Sequence, residues 1–539
     1  MNPDGLSYLD LASASVTGGP SKLVNGYWSP GYPALIGIAM FLVRPSSGQE
    51  FPLVHFVNLL IFIFALWAFS TFLHYWLESL RGDELPDENW KTCVTCVKPF
   101  AFCAFLWYTL KFIGTEVVTP DLGMAAIVFL AAGFGCRLSL PDARWWHYGS
   151  LGFILGVGYY VKAAMFPLAL VFLVLLSFLL PLSRGVTRQK LLVSLSFSCL
   201  AFLLVAAPLV AALSVRAKTL SFGEAGRLNY AWYANQRRWA DDVEHPKVNE
   251  TADHPAPKLL KTPLTLAFAS PINGTYPLWY DPSYWYADLK VRFDLHKQIT
   301  AIKETVPVYK NLVYESMAFI SGAIVLWVFA FHEKLHLIAL RRLFWQIAWP
   351  LVAFSMFALV HVEPRFLGAF LVLFWLAIYG ALIFRTDRRI TAAICATVLS
   401  TVMIPFTGHV TKEGVRIARD LVHPRQPEYQ IAALGLRDLG LQRGDRLAIV
   451  GFAYNCFYAR YDGLRIVAQI PNANEFWHLN TPELKSLEER LSSIGVKAVV
   501  ASKRPDTYAL NGDWRVVKVS DAVQLSVLLL SPEVVRKTR

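Results

Sequence analysis

About ten apolar runs, each near the length that crosses a bilayer, leave this chain few folds other than a bundle of membrane helices. A helix spans the hydrocarbon core in roughly 20 residues. The runs lie at 51–76, 96–113, 121–137, 148–163, 165–181, 191–214, 315–331, 345–361, 366–384 and 389–406. The segment Tyr32–Val43 is too short to span and fits a helix lying at the membrane surface. Only 17% of the 539 residues are charged, against about 25% in soluble domains. Residues 407–539 depart from this pattern and read as a soluble domain.

The basic residues orient the bundle. With residues 1–50 outside, the inner loops hold Arg81, Lys91, Arg137, Arg144, Arg184, Arg188, Lys190, Lys334, Arg341, Arg342, Arg385, Arg388 and Arg389. The short outer turns hold only Lys162 and Arg365. Thirteen against two is a strong positive-inside bias. It also accounts for the net charge of +12 without nucleic acid, for which no reading motif is present. Ten crossings place both ends outside. Four pieces then share the outer face: residues 1–50, the turn Thr115–Pro120, a loop over 215–314, and residues 407–539. The long loop is rich in aromatics (Tyr230, Trp232, Tyr233, Trp239, Tyr276, Trp279, Tyr280, Tyr284, Trp285 and Tyr286), so order is expected.

The C-terminal part alternates. Pro427–Leu439 suits a helix; Arg446–Gly451 and Leu464–Gln469 suit strands; Thr481–Ile494 suits a helix started by a capping box at Thr481. Strands follow at Val496–Ala501, Trp514–Val519 and Gln524–Leu530, giving a small α/β domain. Gly451 alone is no dinucleotide fingerprint, and Arg443-Gly444-Asp445 reads as a turn. Cys93 and Cys96 form a CxxC with no second ligand pair, so they read as small membrane-facing residues. The first ten residues have neither a basic stretch nor an apolar core, so no cleavable leader is expected.

The polar candidates converge on the outer face. They are Asp4 and Asp10 in NPDGLSYLDLA, Glu116 and Asp121 around the TPD, Lys162 between two apolar runs, and His361, Glu363 and Arg365 in HVEPRF. An unpaired charge at membrane depth costs about 2.5–3.5 kcal/mol, so such residues suggest function. Each has a plainer reading: Asp121 can favour a helix N-terminus, Lys162 can snorkel, Glu363 and Arg365 can pair, Asp4 and Asp10 can solvate a loop, and the aromatics can form an interfacial belt. Together they suit one chemistry. A carboxylate can take a proton from an acceptor, Lys and Arg can hold a phosphate, and aromatic faces can stack on a sugar.

Several stretches resemble GT-C glycosyltransferases, the class of the protein O-mannosyltransferases and the bacterial aminoarabinose transferase. DGLSYLDLA (Asp4–Ala12) is similar to the acidic motif of the first outer loop, and YWSPGYPAL (Tyr27–Leu35) to the stretch leading into a surface helix. The TPD ending at Asp121 resembles the second acidic motif. GVGYYVKAAMFP (Gly156–Pro167) resembles the Lys-bearing stretch between helices, and HVEPRF the late Arg-aromatic turn. The likeness covers residues 1–406. It implies an α-helical polytopic membrane protein of about ten helices with a small C-terminal α/β domain: an outer segment 1–50, a transmembrane part 51–406 and an appendage 407–539. It implies transfer of a sugar from a polyprenyl-phosphate carrier to a glycan, lipid or protein acceptor, on the periplasmic side of a bacterial inner membrane. Asp4 would be the base, Asp121 a second catalytic carboxylate, and Asp10, Glu116 and Glu363 supporting acids. Lys162 and Arg365 would bind the donor phosphate. No nucleotide sugar is needed at the active site, and a divalent metal is possible, since metal dependence varies across the class. Its members begin with a membrane helix that is absent ahead of Asp4 here, so the true start is expected upstream of Met1. Two other readings of the residues stay open: a transporter or lipid flippase, and a non-catalytic assembly subunit of envelope polysaccharide.

Overall fold

The computed structural model describes residues 2–81, 87–140, 142–184, 188–236, 258–287, 289–330, 336–383, 388–422, 426–502, 513–520 and 523–530. Each of the ten apolar runs is helical over most of its described residues. After an N-terminal helix α1 (Pro3–Gly18) and α2 (Gly31–Val43) come α3 (Glu50–Leu80), α4 (Asp87–Tyr108), α5 (Asp121–Leu138), α6 (Trp145–Val161), α7 (Met165–Arg184) and α8 (Arg188–Ala217). Beyond the outer loop follow α9 (Leu295–Glu315), α10 (Met317–Ala330), α11 (His336–Ala358), α12 (Pro364–Ile383) and α13 (Arg388–Val422). Among the described residues, six helices are long and apolar enough to cross a membrane, or seven if α9 and α10, bent by 62°, form one span. The other expected spans are shorter apolar helices; Met165–Phe178 and Phe344–Ala358 are two of them.

Burial sorts the helices. α5 is covered nearly all round, with Leu122, Ala125, Phe129 and Ala132 in the core. α3 and α8 keep Leu59, Ile63, Trp67, Leu200 and Leu204 exposed, the signature of lipid-facing helices. α2 buries Ile36 and Met40 and exposes Leu35, Ile38, Phe41 and Leu42. That suits the expected surface position.

The soluble domain contains a seven-stranded sheet in the order β1-β2-β4-β3-β5-β7-β6. β3 (Arg446–Val450), β4 (Arg465–Ile470), β5 (Val496–Ala501), β6 (Trp514–Lys518) and β7 (Gln524–Leu529) come from the C-terminal part. β3 pairs in parallel with both β4 and β5. Its Leu447–Val450 run is buried throughout, as a central parallel strand requires. Helix Glu428–Asp438 covers one face through Ala432 and Leu436, and helix Thr481–Ser493 the other through Leu487 and Leu491.

Four expectations need correcting. β1 (Lys258–Lys261) and β2 (Leu264–Ala267) come from the outer loop, and β2 pairs with β4 through Leu266–Gln469 and Ala267–Ala468. Loop and C-terminal domain therefore share a fold, and lie on the same side of the membrane. The boundary at 406/407 falls inside α13, which runs on to Val422. The capping box starts at Asn480, not Thr481: Asn480 accepts from the Glu483 N–H, and Glu483 reaches back to the Asn480 N–H. The acidic segment expected as a loop is a buried helix, α1, with Pro3 at its first position. It stops at Gly19, whose φ of +84° suits glycine.

Trp239, Lys334 and Arg385 lie outside the described residues, as do the side chains of Lys91, Cys93, Arg184, Arg188, Lys190, Arg341, Arg342 and Arg388. The described cysteines form no disulfide with one another.

Candidate functional site

Four separate stretches of chain meet at one end of the helix bundle. Asp4 lies in the first turn of α1, where the helix dipole favours a carboxylate. Asp121 opens α5, Lys162 ends α6, and Arg365 lies in the first turn of α12. Two features hold these ends together. Gly5 lets α1 approach the 115–120 turn, since a Cβ there would meet the Val118 Cβ at 2.9 Å. Asn58, buried in the apolar α3, donates to the carbonyls of Thr115 (2.9 Å) and Val117 (3.0 Å) and accepts from Tyr32 (2.8 Å). A lone Asn in an apolar run was the signal for it, and it fixes the turn that delivers Asp121.

The charges form one network. Lys162 Nζ donates to Asp121 and lies 3.7 Å from the centre of the Phe366 ring. Arg365 Nη2 donates to Glu363 Oε1 at 3.0 Å and lies 3.4 Å from Asp4 Oδ2. Its Nε is 2.8 Å from Glu363 Oε2 and 3.5 Å from Asp121 Oδ2. Both Asp4 and Asp121 line the adjoining cavity, but Asp121 is 2% exposed with cations at both oxygens, whereas Asp4 is 27% exposed. His361 stacks on Tyr233 at 4.0 Å and reaches Glu363 at 3.5 Å.

Environment separates the carboxyls. Burial raises the Asp4 carboxyl above its usual value, opposed by the charge of Arg365. Burial also pushes Glu363 up, but the hydrogen bond from His361 and the charge of Arg365 prevail and hold it at about 2. Glu363 thus stays ionised while Asp4 becomes a stronger base.

The network borders a cavity of about 450 Å³. Tyr8, Tyr27, Trp28, Trp232, Tyr233 and Trp279 line it, alongside the apolar Met356, Phe357 and Val360. The aromatics brace one another: Trp28 and Trp279 meet edge-to-face at 5.4 Å, and Trp28 Nε1 donates to the Trp279 carbonyl.

Two sequence candidates are elsewhere. Asp10 faces away from the cavity and bonds Thr275 and Arg460. Glu116 is exposed on its turn and does not line the cavity. Among the described residues no group of three His, Cys, Asp or Glu side chains is disposed to hold a metal ion. The three carboxylates turn toward Arg365 and Lys162 instead, so they do not fit the metal that the class admits.

Fold and site together define a polytopic α-helical membrane protein with an acid–base network at the mouth of an aromatic cavity. No family model and no curated protein matches the chain. Among solved structures it is similar to ArnT from Cupriavidus metallidurans in the apo state, at 12% identity over 99% of this chain and 94% of that one, with a TM-score of 0.42. The same protein bound to undecaprenyl phosphate gives a TM-score of 0.40 at the same identity and coverage. An oligosaccharyltransferase from Archaeoglobus fulgidus in complex with Zn and sulfate gives 0.47, at 12% identity over 93% of this chain and 64% of that one.

Proposed function

We propose that the chain is a membrane glycosyltransferase of the GT-C type, moving a sugar from a polyprenyl-phosphate carrier to an acceptor on the outer face of a bacterial inner membrane. The observation that carries this reading is the meeting of Asp4, Asp121, Glu363, Lys162 and Arg365 beside an aromatic cavity at the outer helix ends. A carrier protein would instead place its polar groups near the mid-plane.

Each group has a role. Asp4, which lines the cavity and is far more exposed than Asp121 (27% against 2%), takes the proton of the acceptor hydroxyl or amine. The freed electron pair forms the bond to the sugar's anomeric carbon. The bond from that carbon to the phosphate oxygen breaks, and its electrons leave on the carrier phosphate. Lys162 and Arg365 compensate that charge, at the membrane depth where a lipid phosphate lies. Asp121 holds the two cations rather than serving as a second base, and Glu363 orients Arg365. The prenyl tail runs along the apolar side of the cavity toward lipid.

Replacing Asp4 tests this. Asp4→Asn keeps the shape and removes the basicity, and should lower turnover by at least about 10²-fold with expression and donor binding near wild type. Wild-type turnover in this variant would sink the assignment of the base.

A further inference from the structure

Helix α1 carries two aspartates with different partners. Asp4 and Asp10 are separated by about 9 Å along the helix axis, from a rise of 1.5 Å per residue, and point to different sides of it. Asp4 lines the cavity. Asp10 is held from outside the membrane bundle. Its Oδ2 accepts from the Thr275 N–H at 2.7 Å, and its Oδ1 from the Thr275 hydroxyl at 2.9 Å and from Arg460 Nη1 at 2.8 Å.

Arg460 belongs to the C-terminal domain, in helix Phe457–Asp462. Its guanidinium is nearly buried, and four of its hydrogen bonds leave that domain. Besides Asp10, it donates from Nη2 to Ser13 Oγ at 2.6 Å, and from Nε and Nη2 to the two Glu50 oxygens at 3.0 and 2.8 Å. One side chain thus ties α1, the start of α3 and the C-terminal domain, while Thr275 brings in the outer loop. A fork of this kind sets geometry, because removing it leaves the buried Asp10 and the half-buried Glu50 without their cation. The α1 helix transmits the constraint as a rigid rod, also pinned by Ser7 Oγ donating to the Trp279 carbonyl at 2.8 Å.

We infer that Arg460 is a positioning residue: by clamping α1 at Asp10, it sets the place of Asp4 in the cavity and makes the C-terminal domain part of the catalytic apparatus. This rests on the proposed role of Asp4. The clamp touches none of the cavity residues assigned to the donor, so its loss should affect turnover and spare donor binding.

The experiment uses the full chain in nanodiscs and a double-mutant cycle. Arg460→Met should lower kcat at least tenfold with the KM for the lipid-linked donor within twofold. Arg460→Lys, which keeps the charge but loses the fork, should fall between. If Arg460 acts through Asp4, adding Arg460→Met to Asp4→Asn should cost little further turnover; multiplicative losses would overturn the inference. Hydrogen exchange of the α1 amides from Leu6 to Ala12 gives a readout independent of catalysis. It should speed up in Arg460→Met, and in Asp10→Asn should that first variant fold poorly. Unchanged exchange in both would overturn the clamp. Wild-type turnover in Asp4→Asn would instead overturn the base assignment, with the exchange result still deciding whether Arg460 holds α1.

Discussion

Replacing Arg365 with lysine keeps one positive charge at the site, yet the geometry argues that it is a severe change. The guanidinium reaches Glu363 at 2.8 and 3.0 Å, Asp4 at 3.4 Å and Asp121 at 3.5 Å, with only 14% of the side chain exposed. An ammonium is a compact point donor and cannot span these directions. Losing one charge-assisted contact of this kind costs about 1.5–3 kcal/mol. At about 1.4 kcal/mol per decade, donor affinity should fall roughly 10- to 150-fold. The assay is titration of a polyprenyl-phosphate sugar onto the purified protein in nanodiscs, with the thermal midpoint as a control for folding. Arg365→Ala should match or exceed the loss, and Lys162→Ala should weaken binding as well. Unchanged donor affinity in both alanine variants would show that these cations do not hold the phosphate.

Two further outcomes follow. Because burial raises Asp4, the acid limb of kcat/KM should lie above the ordinary aspartate value of about 3.9, with activity lost as pH falls through the raised value. Glu363, held at about 2, acts in the opposite sense: its contribution to stability is present above its ordinary value and lost only as pH falls toward about 2. A limb at or below the ordinary aspartate value would refute the environment assigned to Asp4. For orientation, cysteines placed at the exposed Thr17 and Ser502 should react with an impermeant reagent from the periplasmic side. Labelling only after the inner membrane is broken would reverse the topology.

The membrane architecture was legible in the sequence because crossing a bilayer is a local property. A largely apolar run of near-spanning length, such as 121–137, can be identified whatever it packs against. The charge bias across loops likewise needs no contacts, and it put Lys162, Arg365 and Asp121 at one end of the bundle before their helices were seen. The strands of the C-terminal domain were readable for the same reason, as short runs between turns. Partnership was not. Asp4 and Asp10 look alike in DGLSYLDLA, yet one lines the cavity and the other is gripped by Arg460, 450 residues further along the chain. Two strands of the sheet come from the loop before α9, whose own sequence names no partner. Nothing in the sequence around Asp121 shows that Lys162 and Arg365 meet its two oxygens. Those choices depend on which distant segments arrive at the same place, and only the tertiary structure settles that.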